Sequence, residues 1–390
     1  MPTNSILPFS RSTTMKVLLT ATVQSHIVQF HKPLVEMLHA HGCEVHVAAR
    51  DNLAEKNGLR LDFADKVFDV PFARSPKSPD NIKAYRQLKK IIDEGHYDVV
   101  HCNTPMGGIV TRLAARDARK QGTKVFYTAH GFHFYQGAPK KNWLVFYPIE
   151  KFFAGHYTDK LITITTEDYK LASQKFRCQV ERIHGVGVDE KRYYPVDDAE
   201  KQRLRSQMGF EAGQKIILNI GELLPNKNQQ MAIRMMPKLV QVYPDAALLI
   251  AGNGPEKENL ERLIQELGMQ NHVELLGYVT NLQDYQHIAD VCVSCSKREG
   301  LPLNVVEAML SGTPVVVTNN RGHRELITDG VDGFVVVVGD ENSMLQHIRS
   351  ILNDASLCKT LTEKGLLKGN MYSVASVAKE LEKVYADVFN

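Results

Sequence analysis

Two carboxylates stand eight residues apart in Arg298-Glu299-Gly300-Leu301-Pro302-Leu303-Asn304-Val305-Val306-Glu307. A strand pattern, Ala289 to Ser294, precedes them, and a helical pattern carries the second. The order strand, loop, helix N-terminus is where α/β proteins bind phosphorylated ligands. Gly300 lets a ligand approach the backbone, and Pro302 suits the first helical position, where a missing N–H costs nothing. At about 100° per residue, Leu303, Val306 and Leu310 share one face, and Glu307 falls on the flank of that stripe. A partly buried carboxylate there needs a hydrogen-bond partner. A pair of sugar hydroxyls meets that need, and so does a neighbouring arginine or backbone group.

Other residues could serve the same chemistry. Lys227, in Gly221-Glu222-Leu223-Leu224-Pro225-Asn226-Lys227-Asn228, follows a strand and can meet a phosphate as a point charge or sit in a turn as a surface lysine. His130, in Thr128-Ala129-His130-Gly131-Phe132-His133-Phe134, stands at a strand end, facing a cleft or bonded to backbone. Tyr135 to Phe153 sets Lys140 and Lys141 among Trp143, Phe146, Tyr147, Phe152 and Phe153, which suits a membrane surface, a lipid-linked substrate or a core helix with solvated lysines. Gly252-Asn253-Gly254 lacks the third glycine of a dinucleotide loop, and Thr22 to His26 after the first strand lacks the pattern altogether. Nicotinamide and flavin enzymes of the Rossmann type are therefore disfavoured. No Gly-x-Ser-x-Gly elbow occurs. Cys292 and Cys295 have no second Cys or His pair at zinc-ligand spacing, and the six scattered cysteines read as buried thiols in a reducing compartment.

The elements that must position these groups alternate between apolar runs and amphipathic segments, the pattern of parallel sheets with crossover helices. Strands are expected at 16–20, 44–48, 66–70, 98–102, 124–129 and 160–165. A second series is expected at 215–220, 246–251, 273–276, 289–294, 314–318 and 333–338. A helix over 27–41 contains Pro33, which should kink it or shift its start. The 390 residues suffice for two cores. The expected plan is a tail over 1–14, a first doubly wound domain over 15–190, a second over 191–372, and a terminal helix over 373–390 packing back on the first. Ligand loops then gather at the strand ends, around a cleft between the domains. No apolar run reaches membrane-span length, the tail lacks a signal-peptide core, and a net charge of +3 gives no case for nucleic acid.

Together these segments resemble glycosyltransferase family 4, with the two-Rossmann-domain GT-B fold. The paired glutamates, Gly300-Leu301-Pro302, Glu307-Ala308-Met309, Gly312-Thr313-Pro314-Val315-Val316 and the linker Val188-Asp189 to Tyr194-Pro195 carry the likeness, which spans residues 15–390. Arg321-Gly322-His323-Arg324-Glu325-Leu326 and the His130 and Gly221 segments are similar to the bacterial capsule and exopolysaccharide branch. The resemblance implies transfer of a hexose or N-acetylhexosamine from a UDP-sugar, with retention, to a glycan or lipid-linked acceptor. It implies no cofactor and no metal, since Asp-x-Asp is absent. It assigns the donor to Gly221, Lys227, Glu299, Gly300, Leu301, Pro302, Leu303 and Glu307. Lys227 and the backbone N–H groups would take the diphosphate, Glu307 the ribose, and Glu299 and His130 the sugar. His26, His133, Lys140 and Lys141 fall to the acceptor side. The expected location is cytoplasmic, peripheral on the inner membrane face. Two positions depart from the family: Glu222 replaces a phosphate-binding arginine, and Gln24-Ser25-His26 replaces a Gly-Gly loop. A UDP-sugar 2-epimerase of the same fold and a non-catalytic nucleotide-sugar-binding subunit are the alternatives.

Overall fold

In the computed structural model, residues 14–56 and 58–389 are described; of the expected tail, residues 1–13 lie outside them. The chain forms two compact units, 1–186 with 378–390, and 187–377.

The first unit holds a seven-stranded parallel sheet: β1 (Lys16–Val23), β2 (Glu44–Arg50), β3 (Lys66–Asp69), β4 (Val99–Asn103), β5 (Lys124–Ala129), β6 (Lys160–Thr163) and β7 (Gln179–Arg182). Their spatial order is β3-β2-β1-β4-β5-β6-β7. The central strands read as near-continuous apolar runs because helices cover both faces. Strand β7, Gln-Val-Glu-Arg, carries one apolar residue and escapes a search for apolar runs. The expected helix over 27–41 is instead two helices, Gln24–Phe30 and Lys32–Ala40, with His31 at the break. Pro33 sits in the first turn of the second helix, where its missing N–H is tolerated.

The second unit holds a six-stranded parallel sheet: β8 (Ile216–Ile220), β9 (Ala247–Ala251), β10 (Val273–Gly277), β11 (Val291–Ser294), β12 (Val315–Thr318) and β13 (Phe334–Val336). Their order is β10-β9-β8-β11-β12-β13. The strand order reverses between β8 and β11 here, and between β1 and β4 in the first unit. Loops leaving the carboxyl ends of strands diverge at such a reversal and open a crevice.

The chain leaves the first unit between Val186 and Gly187. Gly187 has φ +85°, and a Cβ there would lie 2.9 Å from Val374 Cα, so the outgoing segment passes close beside the returning one. Val188 N–H donates to Tyr372 C=O, and Val374 N–H to Val188 C=O, each at 2.9 Å. The last helix, Val374–Phe389, ends within the first unit's core. There Tyr385 Oη and His101 Nδ1 are 2.7 Å apart, and Glu380 accepts from the His184 backbone N–H at 2.8 Å.

Candidate active site

Both segments expected to hold the donor leave strands at the reversal in the second sheet. Gly221 to Asn228 follows β8, and Cys295 to Pro302 follows β11. The loops are pinned together: Lys297 N–H donates to Asn226 C=O at 2.8 Å, and Asn226 Nδ2 donates to Arg298 C=O at 2.9 Å. Across them Lys227 Nζ donates to Glu299 Oε1 at 2.6 Å, both side chains being mostly buried. The expected phosphate and sugar groups are therefore each other's partners in the free protein, and any anion taken by Lys227 competes with Glu299.

Glycines allow this closeness. A Cβ on Gly252 would lie 2.0 Å from Gly221 C=O, and one on Gly322 would lie 2.8 Å from Glu299 Cβ. The helix Arg321–Leu326 can thus approach the Glu299 loop from the side. Beneath it His323 is buried, with Nδ1 2.6 Å from Thr318 C=O and Nε2 2.9 Å from Ser294 Oγ. Burial pulls its pKa down to about 4, so it braces the loop as a neutral ring.

Glu307 lies on the helix Leu303–Leu310. Pro302 is the residue before the first helical one, rather than the first as expected, with extended backbone (φ −78°, ψ 104°). Gly312, at φ +71°, closes the far end as a left-handed cap. Asn304 Nδ2 donates to Ile220 C=O at 2.9 Å and ties the helix start to the end of β8. Glu307 keeps some exposed surface but is closely surrounded, and burial raises its pKa to about 7 against the pull of Arg192 and the Tyr193 hydroxyl. The free protein therefore supplies the tyrosine and arginine partners that the sequence left open against sugar hydroxyls. Arg192 and Tyr193 belong to the Val188–Pro195 segment, which reads in the sequence as a linker; its Tyr-Tyr-Pro run was the available signal. Glu222 is exposed. Gly300, Leu301 and Leu303 keep partial exposure along the loop and helix start.

In the first unit, His130 follows β5 directly and meets groups from two other strand ends. Its Nε2 is 3.2 Å from Oδ1 of Asn103, the last residue of β4, and 3.3 Å from His26 Nε2, after β1. Burial lowers its pKa to about 4. Thr104, beside Asn103, has φ +64°, a conformation that costs a non-glycine residue about 1–3 kcal/mol. Its hydroxyl is held 2.7 Å from Thr22 Oγ1. His31 completes the group, its ring 5.5 Å from that of His130, and spacing alone did not place it there.

His133 is not in this group; it stacks on Phe146 at 4.7 Å. Phe146 belongs to the helix Lys140–Tyr157, whose inner face holds Phe153, Ala154 and Glu150. Glu150 pairs with fully buried Arg112 at 3.2 Å, under the rings of Tyr127 and Phe153. The outer face exposes Leu144 (77%), Val145 (52%) and Phe152 (48%) beside exposed Lys140, Lys141 and Lys151. Among the described residues, no helix is long and apolar enough to cross a membrane.

Two doubly wound sheets, each with loops diverging at its reversal, define the GT-B fold. Residues 16–165 match the family model "Glycosyl transferase 4-like", and 200–367 match "Glycosyl transferases group 1". The chain is 42% identical to "Putative glycosyltransferase EpsD" of Bacillus subtilis (strain 168), over 96% of this chain and 97% of that one. It is 26% identical to the Escherichia coli UDP-Gal:alpha-D-GlcNAc-diphosphoundecaprenol alpha-1,3-galactosyltransferase, over 78% of this chain and 80% of that one. The structure of Anabaena Alr3699/HepE in complex with UDP and glucose superposes with a TM-score of 0.75 at 20% identity, covering 96% of this chain and 100% of that one. The chain belongs to glycosyltransferase family 4, and its activity is glycosyl transfer.

Proposed function

We propose that this glycosyltransferase moves a hexose or N-acetylhexosamine from a UDP-sugar, with retention at the anomeric carbon, to a glycan or lipid-linked acceptor in surface-polysaccharide synthesis. The observation that carries the donor reading is the convergence of Lys227, Glu299 and the start of the Glu307 helix at the reversal of the second sheet. Leaving-group charge grows on the diphosphate during transfer, and preorganised donors stabilise it. Lys227 Nζ and the N–H groups of Gly300, Leu301 and Leu303 supply such donors, helped by the helix dipole. Glu222 would repel a phosphate, so it has no part in that role. Lys227 releases Glu299 when the diphosphate arrives, and Glu299 turns to the sugar hydroxyls. Glu307 accepts from the ribose hydroxyls, and His130 acts on the donor sugar. With this cationic and dipolar set, transfer requires no metal. The Escherichia coli relative is named for UDP-galactose and the Anabaena protein was solved with UDP and glucose, and both support the uridine donor.

The acceptor reading rests on the outer face of the Lys140–Tyr157 helix. Apolar side chains flanked by lysines favour the interface of an anionic membrane, where a lipid-linked sugar is presented. In this reading the protein works on the cytoplasmic face, with His133 beside that surface.

A thermal-shift screen across nucleotide-sugars tests the donor. UDP-sugars should raise the melting temperature, because only ligands of the native state do so. The Glu307→Ala variant should lose most of that shift. Stabilisation by guanine or adenine compounds alone, or an undiminished shift in Glu307→Ala, overturns the assignment.

A further inference from the structure

Three imidazoles converge in the first unit from separate points in the chain. His26 lies on the helix after β1, His31 at the break that precedes Pro33, and His130 at the end of β5. One ring nitrogen from each lies within 4.8 Å of the other two. Nε2 of His26 and Nε2 of His130 are 3.3 Å apart. Two imidazoles on one tetrahedral ion, with bonds of about 2.0–2.1 Å, have their nitrogens about 3.3 Å apart. His26 and His130 already stand at that separation.

His31 supplies a second, independent observation. It is 4% exposed, and its Nε2 has no hydrogen-bond partner. Leaving a buried nitrogen unsatisfied costs about 1–3 kcal/mol and calls for a cause. Burial lowers the pKa of all three rings, and neighbouring imidazoles lower those of His26 and His31 further. A neutral imidazole keeps a lone pair on one ring nitrogen that a metal ion can take.

We propose that His26, His31 and His130 form a site for one divalent transition-metal ion of the zinc class, with water at the fourth position. Neutral nitrogen ligands select zinc, cobalt, nickel or copper over magnesium, calcium and manganese. His31 reaches the ion by a small side-chain rotation, and its orphaned nitrogen gains a partner. His130 then exchanges its contact with Asn103 Oδ1 for the ion. Where His130 acts on the donor sugar, as proposed above, the ion inhibits transfer; that consequence rests on the functional reading, whereas the site does not.

Cobalt(II) is the probe. Titration of the full chain should give the intense visible bands of tetrahedral cobalt, saturating at one equivalent and removed by zinc. The His26→Gln and His31→Gln variants should lose those bands, with zinc affinity lower by at least about a hundredfold, beyond the loss seen on removing an outer-shell partner. His156→Gln, an exposed histidine outside the cluster, should keep them. Circular dichroism establishes that each variant is folded. Should a variant fail to fold, diethylpyrocarbonate labelling of the wild-type protein replaces it, and zinc should protect these three histidines. Only weak octahedral bands, full tetrahedral bands in folded His31→Gln, or labelling unchanged by zinc overturns the site. Zinc should also abolish sugar transfer, with recovery on chelation; tight zinc binding at the cluster without inhibition removes His130 from the donor-sugar role and leaves the site standing.

Discussion

Replacing Glu307 by glutamine should stabilise the free protein and weaken its hold on the donor. The carboxyl's pKa rises from 4.5 to about 7 because burial outweighs Arg192 and Tyr193. The folded state then holds the proton more tightly than the unfolded chain, and stability falls as pH climbs through that interval. Below the lower value both states are protonated and nothing is lost. Above the upper one the ionised group costs about 3 kcal/mol. Glutamine keeps an acceptor for the Tyr193 hydroxyl and cannot ionise. In urea unfolding, Glu307→Gln should exceed wild type by about 3 kcal/mol at about pH 8, and by less than about 1 kcal/mol at about pH 5. Calorimetry should show UDP affinity lower by about 1.5–3 kcal/mol, the worth of a hydrogen bond to a charged group. Wild-type UDP binding should release protons near pH 6, because ribose hydroxyls favour the carboxylate. Equal pH profiles of stability in the two proteins, or unchanged UDP affinity, would refute the reasoning.

His130→Ala and Glu299→Ala should lower turnover more than nucleotide affinity, and wild-type turnover in either removes that residue from the catalytic set. Activity should survive a strong chelator; loss restored by Mg²⁺ or Mn²⁺ contradicts metal-independent transfer. Leu144→Ser with Phe152→Ser should reduce binding to anionic vesicles at low salt while leaving transfer to a soluble acceptor intact, and undiminished vesicle binding removes the helix as the docking face.

Among the described residues, twelve of the thirteen strands were legible as apolar runs, because both sheets are covered on each face and their central strands bury nearly every side chain. Strand β7 was not, because an edge strand need not be apolar throughout. Pro33 announced a fault in the second helix without showing that His31 would occupy it. Glu299 and Lys227 were legible as site candidates from their places after strands. Their mutual pairing was not, since it depends on two loops 72 residues apart meeting where the strand order reverses. The partners of Glu307 were hidden for a related reason: a segment that links two sheets carries no periodicity to mark Tyr193 as buried or Arg192 as its charged neighbour.

The Lys227–Glu299 pair has a consequence for turnover. A cation that already owns an internal anion is a weaker trap for a departing one, so if Lys227 holds the diphosphate as proposed, Glu299 competes with the spent nucleotide each time it leaves. In that proposed role the carboxylate would be a built-in displacer, shortening the stay of UDP at some expense in affinity for the incoming donor. Glu299→Gln should accordingly retain UDP longer, with a slower dissociation rate and stronger product inhibition than wild type; a faster release from that variant contradicts the competition.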